Sequence, residues 1–173
     1  MNEAVFAGEI KRSLLHIWPN GFYMKIPDSF GNAPGDGSNT RFTPPKYLDA
    51  IFFVNQQFFG FEYKQHRSSG AFPFSKVRPI QEEALSTIFN NGGHAYFVIN
   101  IRYTKESRVN VAVFVPIVEW LALKEQFSYR KSIPLNALYD PLSATIGERS
   151  PFPALSTERI DGKTIWPMEV IIH

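Results

Sequence analysis

The chain has 173 residues, of which 44% are hydrophobic and 15% aromatic, so it is long enough for one domain with a substantial core and too apolar to be disordered. It contains no cysteine, which excludes a disulfide scaffold and thiolate metal sites and favours an intracellular location, and no run approaches the ~20 apolar residues of a membrane span. Its formal net charge of +2 is by itself no nucleic-acid signature.

Residues 2–18 have helical periodicity, with Val5, Phe6, Ile10, Leu14 and Ile17 as the apolar stripe. Glu9 lies on the flank of that stripe, either as an ordinary boundary glutamate or leaning into a site beside a sheet. Pro19-Asn20-Gly21 ends the helix, and residues 21–28 read as a short strand. Residues 28–45 are rich in Gly, Pro, Ser and Asn and predict a long loop, which places Arg41 and Lys46 where they can touch phosphates.

The next segment states a chemistry. Residues 48–54 and 57–63 are aromatic and β-branched runs joined by Asn55-Gln56, which predicts a hairpin with a two-residue turn. A tight turn pairs Val54 with Gln57 and sets Asp49 opposite Glu62. Alternation then places Asp49, Ile51, Phe53, Phe58, Gly60, Glu62 and Lys64 on one face, and Leu48, Ala50, Phe52, Val54, Phe59, Phe61 and Tyr63 on the other. Both faces are mainly apolar, so the sheet should be covered by helices on both sides. Two carboxylates facing each other at a buried edge repel, and a divalent cation removes that cost. Mg²⁺, with Mn²⁺ as a substitute, suits such hard oxygen ligands, and Lys64 on the same side can orient a water or stabilise a developing phosphorane charge. This is the constellation of a metal-dependent phosphodiester nuclease. The plainer alternative is a surface ion pair between Glu62 and Lys64, with Asp49 merely starting a strand.

Residues 65–79 predict a second, basic loop containing His66, Arg67, Lys76 and Arg78, in which His66 is a phosphate contact or a bystander and Phe72 and Phe74 anchor the loop on the core. Residues 79–93 predict a helix opened by Pro79 and closed by Gly92-Gly93, with Ile80, Ala84, Leu85, Ile88 and Phe89 buried and Gln81 projecting from the first turn toward the site. Two strands follow, joined near Lys105-Glu106-Ser107, then a short helix from Ile117. Beyond residue 131 come a Pro-rich segment and a hairpin with Asp161-Gly162 as its turn. Residues 1–80 hold nine Lys/Arg against six acids, which leaves that half basic once the proposed site is set aside. Lys11, Arg12, Lys25, Arg41, Lys46, Arg67, Lys76 and Arg78 are its candidate DNA-binding cations.

Taken together, these residues resemble the PD-(D/E)xK nuclease superfamily, and within it RecU-like and phage Holliday junction resolvases. Asp49 stands at the motif aspartate, and Phe61-Glu62-Tyr63-Lys64 is similar to the E-x-K element. The helix carrying Ala7-Gly8-Glu9 resembles the opening acidic helix, and the helix opening at Pro79-Ile80-Gln81 resembles the one that follows the motif. The resemblance spans roughly residues 5–115. It departs where no proline precedes Asp49, in the long 28–45 loop and beyond residue 131.

The resemblance implies an α/β fold of the restriction-endonuclease type: a mixed central sheet flanked by helices, in a single nuclease domain of about residues 1–130 with an appendage over 131–173. It implies a Mg²⁺-dependent homodimeric endonuclease resolving four-way DNA junctions in the cytoplasm of a bacterial or phage-infected cell. Asp49, Glu62 and the Tyr63 carbonyl would bind metal, Lys64 would position the nucleophile, Glu9 would complete the acidic site and Gln81 would orient water. A nuclease of the same superfamily acting on other DNA, or a non-catalytic DNA-binding relative, are the alternatives.

Overall fold

The computed structural model describes residues 3–27, 47–104, 108–139 and 152–171. In chain order the elements are α1 (Glu3–Ile17), β1 (Phe22–Lys25), β2 (Ala50–Val54), β3 (Gln57–His66), β4 (Phe72–Pro73), α2 (Pro79–Asn90), β5 (His94–Thr104), β6 (Arg108–Pro116) and α3 (Ile117–Gln126). They are followed by β7 (Ser132–Ile133), β8 (Ala154–Ser156), β9 (Glu158–Ile160) and β10 (Lys163–Ile165). Six strands form one sheet in the order β1-β2-β3-β5-β6-β8. Only the β3–β5 pair of that sheet is parallel, and α2 makes the crossover between them. The expected mixed sheet flanked by helices is therefore present.

The β2–β3 hairpin has the register read from the sequence, from Val54 opposite Gln57 to Ala50 opposite Phe61. Asn55 and Gln56 both take positive φ, 50° and 64°, which is the mirror-image turn that matches strand twist. The Asp161-Gly162 turn, with φ of 48° and 72°, joins β9 to β10 in the same way.

Each face of the sheet carries its own core. Phe6, Ala7, Ile10 and Leu14 of α1 pack on Phe52, Phe59, Phe61 and Tyr63. On the other face, α2 and α3 supply Leu85, Trp120 and Leu123 against Phe97, Ile99, Val113 and Val115. Phe6, Ile10 and Leu14 of the expected α1 stripe are buried, whereas Val5 is exposed and Ala7 and Ser13 are buried in addition. Ser13 tolerates burial because its hydroxyl donates to the Glu9 carbonyl (2.8 Å) and accepts from the Trp166 amide (2.9 Å). Leu48 joins the α2-side core, not the α1 side, because strand alternation begins only at Ala50. Phe89 is exposed although a buried role was expected for it; at the end of α2 it has passed the sheet.

Gly60 and Gly93 let α2 approach. A Cβ on Gly60 would meet Ile88 Cδ1 at 2.4 Å, and one on Gly93 would meet Ile88 Cγ2 at 2.7 Å and the Phe58 carbonyl at 3.2 Å. Residues 152–171, read from sequence as part of an appendage, supply the outermost strand β8 and bury Leu155, Trp166, Met168 and Ile171 in the α1-side core. The expected loop at 28–45, Lys46 and the turn at 105–107 lie outside the described residues, and β5 and β6 pair up to Thr104 opposite Arg108.

Candidate active site

Asp49 sits one residue before β2, where the chain is already held by backbone bonds. Its amide donates to the Phe61 carbonyl at 3.1 Å, and its carbonyl accepts from Ile26 at 2.8 Å. Its Oδ2 accepts from the Tyr63 amide at 2.7 Å, so the carboxylate caps the backbone of β3 beside Glu62. Asp49 and Glu62 are 6% and 2% exposed, which settles that neither acid points into solvent. The buried Tyr63 phenol senses both carboxylates. Its pKa is raised well above the usual tyrosine value, by burial first, then by the neighbouring Tyr23 hydroxyl at 3.3 Å, then by the charges of Asp49 and Glu62.

Lys64 lies two residues beyond Glu62 on the same strand face, and its Nζ donates to Glu62 Oε1 at 2.8 Å. Gln81 completes the cluster from α2. Pro79 opens that helix, which puts Gln81 at the third helical position with its side chain turned back. Its Oε1 accepts from the Arg78 amide (3.0 Å) and from Lys64 Nζ (3.1 Å), and its Nε2 donates to Glu62 Oε1. One buried amide thus locks the first turn of α2 to the E-x-K element.

Other expected site residues lie elsewhere. Glu9 is half-buried, and its Oε2 accepts from the Trp166 indole at 3.2 Å. Among the described residues, no three His, Cys, Asp or Glu side chains converge as a metal-holding group, and the groups bonded to Glu62 are an amide and an ammonium. Of the candidate DNA-binding cations, Lys25 is exposed on β1, opposite Ala50 and next to Asp49. Arg67 and Lys76 bracket the end of β3: Arg67 donates to Gln65 Oε1 (3.0 and 3.2 Å) and Lys76 to the Gln65 carbonyl. Partial burial lowers the Lys76 pKa, opposed by Glu3 and reinforced by the like charges of Lys64 and Arg67. Arg78 is exposed at the start of α2. Lys11 and Arg12 lie farther along α1, with Lys11 Nζ 5.6 Å from the Tyr23 ring centre and Arg12 donating to the Thr164 carbonyl at 3.3 Å. Arg41 and Lys46 are outside the described residues.

His66 is neither a surface phosphate contact nor a bystander. It is 3% exposed at the end of β3, its Nε2 meets the Gly70 carbonyl at 2.8 Å, and it packs on Phe72. It is a strut for the 67–77 loop. Phe72 and Phe74 anchor that loop on Trp120, as expected. Glu82 escaped the sequence reading: it accepts from Trp120 Nε1 (2.8 Å) and Lys124 Nζ (2.7 Å), pinning α3 to α2. Only its place in a first helical turn, where acids are favoured, marks it in sequence.

A buried carboxylate just before the first strand of a β-hairpin, a second within its other strand, and a lysine and an amide bonded to that second one suit hydrolysis of a phosphodiester. A model of the RecU family, Recombination protein U, matches residues 34–149. That span contains Asp49, Glu62, Lys64 and Gln81 but not α1. Among solved structures, the chain is similar to Archaeoglobus fulgidus Hjc, a Holliday junction resolvase from an archaeal hyperthermophile, at 16% identity with a TM-score of 0.37, covering 64% of this chain and 77% of that one. No curated protein matches the chain.

Proposed function

The chain belongs to the RecU family, endonucleases that resolve Holliday junctions and depend on a metal ion, and we propose that Asp49, Glu62, Lys64 and Gln81 form its active site, with Mg²⁺ as the metal. The carrying observation is the Gln81 amide joined to Glu62, Lys64 and the Arg78 backbone, beside the Asp49 carboxylate on the Tyr63 amide.

These residues fit a hard divalent cation. The two buried carboxylates would supply oxygen ligands, with the Tyr63 carbonyl as a candidate third, a donor set of the kind Mg²⁺ prefers. When bound, the ion supplies Lewis-acid polarisation of the scissile phosphate. The protein's own groups do the rest. Lys64 places a positive charge where the phosphorane develops, and its bond to Gln81 fixes the ammonium's direction. Gln81 keeps one amide face toward Glu62 and is placed to orient the attacking water. Glu9 accepts from the Trp166 indole and is not counted among the ligands.

The reading is tested with labelled four-way junction, flap and linear duplex. The parent protein should cut the junction preferentially with Mg²⁺ or Mn²⁺. Glu62→Gln and Asp49→Asn should cut it slower by about 10²-fold or more, the scale of lost metal affinity. Both should bind the junction in EDTA as tightly as the parent or tighter, because a repulsive carboxylate is gone. Equal cutting of all three substrates, or unimpaired cutting by either variant, overturns the assignment.

The assembly we propose is a C2 homodimer, since resolution needs two symmetric incisions. The surface that supports it is the β1 edge. Phe22, Met24 and Phe53 are 58%, 44% and 47% exposed, and strand pairing puts them on one face. An edge strand bearing such a patch invites pairing with a second copy. Light scattering coupled to gel filtration should give twice the chain mass for the parent and one chain mass for Phe53→Lys. A monomeric parent at micromolar concentration would refute the dimer.

A further inference from the structure

Away from the proposed active site, a cleft of about 460 Å³ opens between α1 and the β9–β10 hairpin. Its polar lining is Lys11, Arg12 and His16 from α1, and Asp161 and Lys163 from the hairpin. Three permanent cations therefore face one carboxylate, in a chain whose overall formal charge is only +2. Lys11 leans on Tyr23, Arg12 uses one nitrogen on the Thr164 carbonyl, and among the described residues none of the three cations forms an ion pair with a carboxylate. The two walls are fixed relative to each other. Arg12 bonds to β10, Ser13 accepts from the Trp166 amide just after β10, and Glu9 accepts from its indole.

We propose that this cleft is a second phosphate-binding station, which grips the sugar–phosphate backbone of a junction arm away from the cutting site. The inference rests on the nuclease reading for its ligand. The geometry connects the two sites. Phe6, in the first turn of α1, meets the Tyr63 ring edge-on at 5.9 Å, so that helix begins beside the E-x-K element. Lys11 and Arg12 lie about 12–14 Å farther along it, at ~1.5 Å per residue. Duplex DNA presents a charge every ~1.7 Å of its axis, so that distance corresponds to about seven or eight phosphates of an arm. Both walls, α1 and the β9–β10 hairpin, lie outside the segment matched to the family.

The test measures binding without cleavage. A fluorescent four-way junction is titrated in EDTA between ~50 and ~200 mM salt, with Lys11→Gln, Arg12→Gln and Lys163→Gln combined in one variant. The control removes three exposed or partly exposed cations elsewhere: Arg108→Gln, Arg130→Gln and Lys131→Gln. The cleft variant should lose about 2.7 from the slope of log affinity against log salt, at ~0.9 per phosphate contact, and bind at least ~10-fold weaker at the upper salt concentration. The control should stay within about twofold of the parent. Lys163→Glu alone, at a side chain that forms no hydrogen bond or ion pair among the described residues, should weaken binding in the same direction and guards against a fold defect in the triple variant. Unchanged affinity and slope in both cleft variants, or equal loss in the control, overturns the proposal. Because no step requires cutting, failure of the catalytic assignment would leave this result readable.

Discussion

His66 shows how a residue suggestive in sequence acquires another role once its surroundings are known. A histidine in a basic segment reads as a phosphate contact, but β3 runs three residues farther than the hairpin pattern indicates, and the ring ends up inside. Burial lowers its pKa, only partly offset by its bond to the Gly70 carbonyl, and Lys76 pushes the same way as burial. The fold therefore favours the neutral ring. The unfolded chain takes up a proton near ~6.5, so the stabilisation is fully present above that pH and is lost as pH falls through the folded value. His66→Gln can still donate to Gly70 and does not titrate. Its urea midpoint should fall less between pH 7.5 and 5.5 than the parent's; parallel falls would show that His66 is not the titrating group. The placement of Glu62 and Lys64, by contrast, was legible from spacing, because strand alternation and a two-residue turn leave them little freedom, whereas Asp49 lies one residue before β2 and is held by the Tyr63 amide. Glu9 was not readable in the same way: its partner Trp166 is 157 positions away, and no local periodicity carries that information.

Among the elements, the β2–β3 hairpin decides where the carboxylates fall, and its turn is the least comfortable part. Asn tolerates the left-handed region, but Gln56 at φ 64° pays a steric penalty that glycine avoids. Gln56→Gly should raise stability by about 1 kcal/mol, seen as a higher urea midpoint at unchanged m value. No increase would mean that the entropy of the added glycine cancels the relief of strain. Both helices packed on this hairpin were legible through their 3.6-residue period and their Pro and Gly punctuation. The periodicity failed at the margins, at Val5 and Phe89, which stay about half exposed at 49% and 45% although the stripe counted them as buried. The face-to-face contact of α2 with β3 depends on Gly60, whose missing side chain sequence periodicity counts as neutral.

At the scale of the molecule, the C-terminal residues bear on whether α1 stays in place. Trp166 is fully buried, meets Phe6 edge-on at 5.7 Å, donates its indole N–H to Glu9, and donates its backbone amide to Ser13. β8 meanwhile covers the edge of β6, from Val111 opposite Ser156 to Val113 opposite Ala154. Sequence gave this segment no strong period, since its strands are three residues each and their partners lie far upstream. Removing residues 152–173 would strip the α1-side core of four buried apolar side chains and leave β6 as an open edge, which promotes association. Trp166→Ala is the milder form of the same injury and should cost about 3–5 kcal/mol. Its thermal midpoint should drop by many degrees, and the truncated chain should aggregate or melt without a cooperative transition. The E-x-K cluster stands on β3 and α2 and does not touch Trp166, so Trp166→Ala assayed well below its melting temperature should retain most of its cutting rate at saturating junction. A truncated chain that melts cooperatively at the parent's temperature would refute this structural role for the C-terminal segment.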